Sequence, residues 1–160
     1  MGPPPPGPHL RILVPEDDPD LRALLEDSVT ELHRRYPDYL PDPLIPDGEY
    51  FVAEIDGQAV GCVALRVPPD LPDEGHGEVK RLYVAPYGRR RGVAAALMGA
   101  LETRARARGM TTVVLETGTA QPEAMALYTA LGYQPTPSFG EWATNPQSRC
   151  YAKRLDTPAR

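Results

Sequence analysis

The chain has 160 residues, 41% of them hydrophobic and 24% charged, with a net charge of −5 at pH 7. That size predicts a single globular domain that buries a core without a metal or disulfide staple. The longest apolar run, Val93 to Leu101, is nine residues against the ~20 of a membrane helix. The start carries no secretory pattern and has Pro6 where a myristoylation signal needs Ser or Thr. Two cysteines, Cys62 and Cys150, exclude a disulfide framework and a CxxC site. The expectation is a reduced, cytoplasmic protein with no membrane partner.

Residues 1–8, MGPPPPGP, read as a disordered proline-rich tail, and 157–160 as a second tail. The single domain between them, 9–156, opens with a strand at Leu10 to Val14. A helix is expected from the Pro15-Glu16-Asp17-Asp18-Pro19 opening to about Arg35, because Leu21, Leu24, Leu25, Val29 and Leu32 recur at helical spacing behind an acidic first turn. Tyr36 to Gly48 holds four prolines and three aspartates and reads as loop. Strands follow at Tyr50 to Ile55 and Ala59 to Val67, joined by the hairpin signal Asp56-Gly57. A polar loop leads to a strand over Glu78 to Ala85. An alanine-rich helix is expected from Val93 to Arg108, stopped by Gly109. Then come a β-branched strand at Thr111 to Glu116, a helix at Pro122 to Leu131 closed by Gly132, and strands at Tyr133 to Thr136 and Arg149 to Leu155. The order predicts an α/β domain with a mixed, mostly antiparallel sheet flanked by helices.

The chemistry concentrates where the central strand meets the alanine-rich helix. From Lys80 to Arg108 the net charge is +7, leaving −12 for the remainder. An acidic protein with one basic block argues against nucleic acid, whose binders are usually basic throughout. It fits a local site for a small polyanion. Arg104, Arg106 and Arg108 read as a solvated helix face. In Tyr83 to Leu97, a strand runs through Gly88-Arg89-Arg90-Arg91-Gly92 into a helix that begins with Val93-Ala94-Ala95-Ala96. The first turn of a helix presents unpaired amides and the positive dipole end, and small residues let an anion approach them. A pyrophosphate suits the pattern, whereas a Walker loop and a GxGxxG fingerprint are both absent. A helix that packs closely through its alanines is the bland alternative.

At these residues the sequence resembles the GNAT superfamily of acyl-coenzyme A-dependent N-acetyltransferases. The family's Arg/Gln-x-x-Gly-x-Gly/Ala signature is met by Arg89-Arg90-Arg91-Gly92-Val93-Ala94. A second block is similar too: Glu123-Ala124-Met125-Ala126-Leu127-Tyr128, followed by Gly132-Tyr133. The resemblance spans about Tyr50 to Leu155, and its closing tract, Phe139 to Trp142 and Ser148 to Tyr151, is like that of small bacterial members.

The resemblance implies acetyl-CoA as co-substrate, and no metal is expected because no His/Cys/carboxylate cluster has ligand spacing. It implies that Leu82, Tyr83 and Val84 pair with the pantetheine arm, with the Val84 amide near the acetyl carbonyl. Backbone amides of Arg89, Arg90, Arg91, Gly92, Val93, Ala94 and Ala95 would hold the pyrophosphate, and Tyr128 would protonate the departing thiolate. Gln121 stands where many members carry Asn. Direct transfer needs a base, because a protonated amine is no nucleophile. Glu78 and Glu116 compete for that role, with Glu78 favoured, and either carboxylate has an ion-pair alternative with Lys80 or Arg81. Neither Cys62 nor Cys150 has a histidine nearby in sequence, which argues against an acyl-enzyme route.

The acceptor side of such a protein draws on the first helix, the loop after it and the last strands. Those segments supply Tyr36, Asp38, Tyr39, Asp42, Phe51, Phe139, Trp142 and Tyr151. Arg66 and Lys80 face either a substrate carboxylate or the two glutamates. The expected acceptor is the primary amine of a small, amino-acid-like molecule. A protein N-terminus or lysine is the rival, and a catalytically silent acyl-CoA sensor is a third reading. A monomer and a homodimer are equally compatible with the sequence.

Overall fold

The computed structural model describes residues 7–71, 75–118, 122–139, 145–146 and 148–155. Its elements are β1 (His9–Val14), α1 (Pro19–Arg35), β2 (Glu49–Ile55), β3 (Gln58–Arg66), β4 (His76–Val84), α2 (Val93–Ala107), β5 (Thr112–Gly118), α3 (Pro122–Ala130), β6 (Gln134–Thr136) and β7 (Ser148–Arg154). The strands order as β1-β2-β3-β4-β5-β7-β6, mixed and mostly antiparallel as expected. Among the described residues no helix is long and apolar enough to cross a membrane. The chain divides into two compact units, Met1–Ala64 with Arg81–Leu101 and Leu65–Lys80 with Glu102–Arg160.

In the first unit, β1 pairs antiparallel with β2 from His9↔Glu54 to Val14↔Tyr50, with an irregularity after Arg11. The hairpin between β2 and β3 turns at Asp56 (φ 52) and Gly57 (φ 78), as the dipeptide predicts. Helix α1 starts at Pro19 rather than at Pro15. The Asp18 amide is tied back to Pro15 O at 3.0 Å, and the Asp18 carboxylate accepts from the Leu21 amide at 3.0 Å, so the cap ends a preceding turn. Leu21, Leu24, Leu25 and Val29 form the buried stripe of α1. The three leucines pack in a core with Val14, Ile45, Tyr50, Val52, Cys62, Ala64 and Ala85. The loop after α1 is non-helical and anchored: the Tyr50 hydroxyl donates to Ile45 O and accepts from Ile45 N, and Arg81 Nη2 donates to Asp42 O at 2.9 Å.

In the second unit, β4 pairs parallel with β5 from His76↔Thr112 to Glu78↔Val114. Strand β7 pairs antiparallel with β5 over its whole length and with β6 from Gln134↔Ala152 to Thr136↔Cys150. Val113, Val114, Leu115, Tyr133 and Leu155 are among its buried apolar residues. Four buried polar residues accompany them: Glu78, Glu102, Thr117 and Ser148.

Candidate active site

The first unit carries the turn into α2 that the sequence marks as a candidate anion cradle. Its part of β4 begins at Arg81 with φ 57, which breaks the extended run just ahead of half-buried Leu82, Tyr83 and Val84. The Ala85 amide donates to Val60 O at 2.8 Å, and a 3-10 turn follows at Pro86–Gly88. Arg90 and Gly92 then adopt φ 63 and φ 75. The first amide of the α2 ladder is that of Ala96, bonded to Gly92 O at 3.1 Å, so the amides of Val93, Ala94 and Ala95 lie ahead of the ladder. A Cβ on Gly92 would meet nothing within 4 Å. The position therefore requires glycine for its positive φ and leaves clear space at the helix end. Arg90 and Arg91 are exposed.

Two supports of this cradle escaped the sequence reading. A Cβ on Gly61 would sit 2.9 Å from Tyr83 O and from Val93 Cγ1, so a glycine in β3 lets α2 seat closely against the strands. A lone glycine inside an apolar strand run is the signal that marks such an approach. The second support is Arg89. Its Nε donates to Val84 O at 3.0 Å, and its Nη2 reaches both oxygens of Glu31 on α1 at 2.9 and 3.2 Å. Its amide donates to Pro86 O at 3.4 Å. Arg89 is thus a brace for the turn, through its side chain and its amide alike.

The second unit holds the titratable candidates. Glu78 is 2% exposed and accepts from Arg66 Nε at 2.7 Å. The pairing alternative is the one realised for these two residues. Glu116 is half-buried on β5, opposite Cys150. Tyr128 is buried on α3, with ring centroids 5.9 Å from Tyr133 and 6.4 Å from Tyr151. Its hydroxyl has no hydrogen-bond partner among the described residues. Burial pushes the Tyr128 pKa well up, and the charge of Glu116 raises it further. The phenol therefore keeps its proton through neutral pH. Burial likewise raises the thiol of Cys150, and in the first unit it pushes Cys62 up to about 12, which disfavours either as a nucleophile.

Of the acceptor-side candidates, Tyr36, Asp38, Tyr39, Asp42 and Phe139 are half-buried or exposed and Lys80 is half-buried. Tyr151 is 7% exposed beside Tyr128. Phe51 is fully buried and belongs to the interior, because β2 is covered along most of its length. Gln121 and Trp142 lie outside the described residues.

The acetyltransferase (GNAT) family model matches residues 18–133. The chain belongs to the GNAT family. The match reaches back over α1, the helix after the first strand that suits the family's opening, and ends at Tyr133. A protein named IAA acetyltransferase from Azospirillum brasilense is 36% identical over 110 residues, 69% of this chain and 70% of its own. N-acetyltransferase 8 of Homo sapiens is 38% identical over 97 residues, 59% of this chain. That match spans 43% of the human protein's length. A solved structure from Klebsiella pneumoniae, assigned as an acyl-CoA N-acyltransferase, aligns with TM-score 0.76 at 32% identity, covering 93% of this chain and 98% of its own. This GNAT protein is an N-acetyltransferase, moving an acetyl group from acetyl-CoA to an amine.

Proposed function

We propose that the chain acetylates the primary amine of a small, amino-acid-like molecule by direct attack of the amine on acetyl-CoA. The observation that carries this reading is Tyr128, a buried phenol whose hydroxyl lacks a partner among the described residues and whose proton is held by burial and by Glu116. A general acid for thiolate departure needs that combination: a proton retained at neutral pH and an oxygen not committed elsewhere.

Acetyl-CoA supplies the activated thioester. The amides of Arg90 to Ala95 and the positive end of α2 hold its pyrophosphate, while Leu82, Tyr83 and Val84 align the pantetheine arm by main-chain hydrogen bonds. The Val84 amide stabilises the negative charge that grows on the acetyl oxygen. Glu116 takes the proton from the acceptor amine. Glu78 is the weaker candidate, because protonating it would break its buried pair with Arg66 and strand a guanidinium. Arg66 spends Nε on Glu78. A guanidinium has five donors, so its two terminal nitrogens serve an acceptor carboxylate. Lys80 and Tyr151, in the same unit as Arg66 and Tyr128, complete the acceptor side of that unit.

The test is release of free thiol from acetyl-CoA against amines in matched pairs, an amino acid beside its decarboxylated form and beside a dipeptide. Faster turnover with the amino acids is expected. Turnover confined to peptides overturns the acceptor class. Thiol release at background with every probe, while acetyl-CoA still binds, overturns catalysis in favour of a sensor.

A further inference from the structure

Glu102 is a buried carboxylate with no part in the reaction above. It lies on α2 within the second unit, 6% exposed. Its Oε2 accepts from the Tyr133 hydroxyl at 3.0 Å, and its Oε1 accepts from Lys153 Nζ at 2.9 Å, with Arg106 Nη2 at 3.9 Å. Lys153 also donates to Leu131 O at 2.9 Å and stands 5.6 Å from the Tyr133 ring centre. So many partners on one carboxylate fix the end of α3 against β7.

Tyr133 is the link from this cluster to Tyr128. Its amide donates to Tyr128 O at 2.9 Å. Its ring meets the Tyr128 ring edge-on, with an interplanar angle of 65°. Tyr133 is 1% exposed, so its ring has little freedom once its hydroxyl is bonded at the far end. The Tyr128 ring is thereby held from its backbone and from one side, with Tyr151 tilted at 40° nearby.

We propose that Tyr133, anchored by Glu102, is a positioning residue that aims the Tyr128 hydroxyl for proton transfer. The proposal rests on the reading of Tyr128 as the general acid. Side-chain placement matters at this level because a misaligned proton donor forfeits much of its rate advantage. Removing the Tyr133 hydroxyl leaves the ring in place but frees it to rock, and the Tyr128 ring with it.

The experiment is a double-mutant cycle on the full chain, read as thiol release over a range of acetyl-CoA concentrations up to saturation. The acceptor probe is an equimolar mixture of the common amino acids, tyramine and spermidine, at equal folded concentration. Tyr133→Phe is expected to lower turnover by about tenfold while leaving the KM for acetyl-CoA unchanged. In a Tyr128→Phe background the same substitution is expected to change turnover very little, because the group it aims is gone. Glu102→Gln keeps an acceptor oxygen for Tyr133 and serves as the second variant should Tyr133→Phe fold poorly. It should lower turnover less, and likewise only when Tyr128 is intact. Equal losses in both backgrounds overturn the positioning role and leave the cluster structural. Unaltered turnover in Tyr128→Phe alone overturns the acid reading itself, and the positioning role falls with it.

Discussion

The two units solve opposite electrostatic problems with different materials. In the first, the functional surface is backbone: positive φ at Arg90 and Gly92, amides ahead of the α2 ladder, and half-buried Leu82 to Val84. Its charged side chains at the turn are exposed or act as braces, as Arg89 does through Val84 O and Glu31. In the second, the candidates are buried side chains whose roles are set by pairing: Glu78 with Arg66, Glu102 with Tyr133 and Lys153. Among the buried phenols of that unit, the Tyr133 hydroxyl is committed to Glu102, and Tyr128 lies beside it. Under the proposed function, anion binding therefore depends on chain geometry, and proton transfer depends on which buried groups are left uncommitted.

The sharpest way to break that comparison is at Tyr128 and Glu116. Tyr128→Phe should lower kcat by about 10²-fold, the low end for loss of a general acid, because a CoA thiolate leaves fairly readily. The Kd of acetyl-CoA measured by calorimetry should stay unchanged, since the ring still packs. Glu116→Gln should lower kcat comparably, with the loss shrinking as pH rises and the acceptor amine deprotonates without help. A Tyr128→Phe enzyme with undiminished kcat would remove the division between the units, leaving a cradle with no acid.

Next in size is the cradle. Gly92→Glu forces a left-handed φ on a side chain and places a carboxylate at the helix end, where a phosphate should sit. Acetyl-CoA binding should weaken by roughly 2–3 kcal/mol, about 30- to 150-fold in Kd. Gly92→Ala separates the two causes: it strains the turn without adding charge, so it should cost stability more than affinity. Comparable affinity in wild type and Gly92→Glu would place the phosphates elsewhere.

How much of this was legible in the sequence follows the same division. The succession of strands and helices, the hairpin at Asp56-Gly57 and the glycine turn into an alanine-led helix were readable because local patterns specify them: alternation, a turn dipeptide, glycine and alanine at a helix start. The start of α1 was misplaced because Asp18 and Pro19 compete with an equally acidic, proline-led stretch from Pro15, and only the cap hydrogen bond decides between them. The carboxylates were the harder case. Glu78 and Glu102 look alike as residues, and their meanings come from partners 12 and 51 positions away, Arg66 and Lys153. No periodicity encodes those distances. Phe51 failed for a related reason: an aromatic in a strand has no sequence mark for which face is covered.

A smaller effect sharpens the assignment of Glu78. Glu78→Gln removes the counter-charge of Arg66, so the loss should appear as stability, about 2 kcal/mol for a hydrogen bond to a charged partner. Turnover per folded molecule on tyramine, which has no carboxylate for Arg66 to meet, should hold. A drop in kcat on tyramine with an unaltered melting curve would return Glu78 to the list of bases.

The smallest expected effect lies in the first unit, at a side chain rather than the backbone. Asp18 caps α1 through the Leu21 amide and is paired with Arg11. The amide bond is the main cause of its lowered pKa, with Arg11 adding to it against the cost of burial. A carboxylate whose folded pKa lies below its unfolded value stabilises the fold above the unfolded value, and that contribution disappears as pH falls through the folded one. Asp18→Ala should therefore cost about 1 kcal/mol at neutral pH, the usual worth of an N-cap. The gap between the two melting curves should narrow below about pH 4, where the unfolded carboxylate begins to protonate, and most of it should be gone once wild-type Asp18 is itself protonated. Because α1 also carries Glu31, the partner of Arg89, a frayed helix start should leave the cradle's far end intact and acetyl-CoA affinity unchanged. A pH-independent gap would mean that Asp18 acts by shape alone, and a loss of affinity would mean that α1 supports the cradle along its whole length.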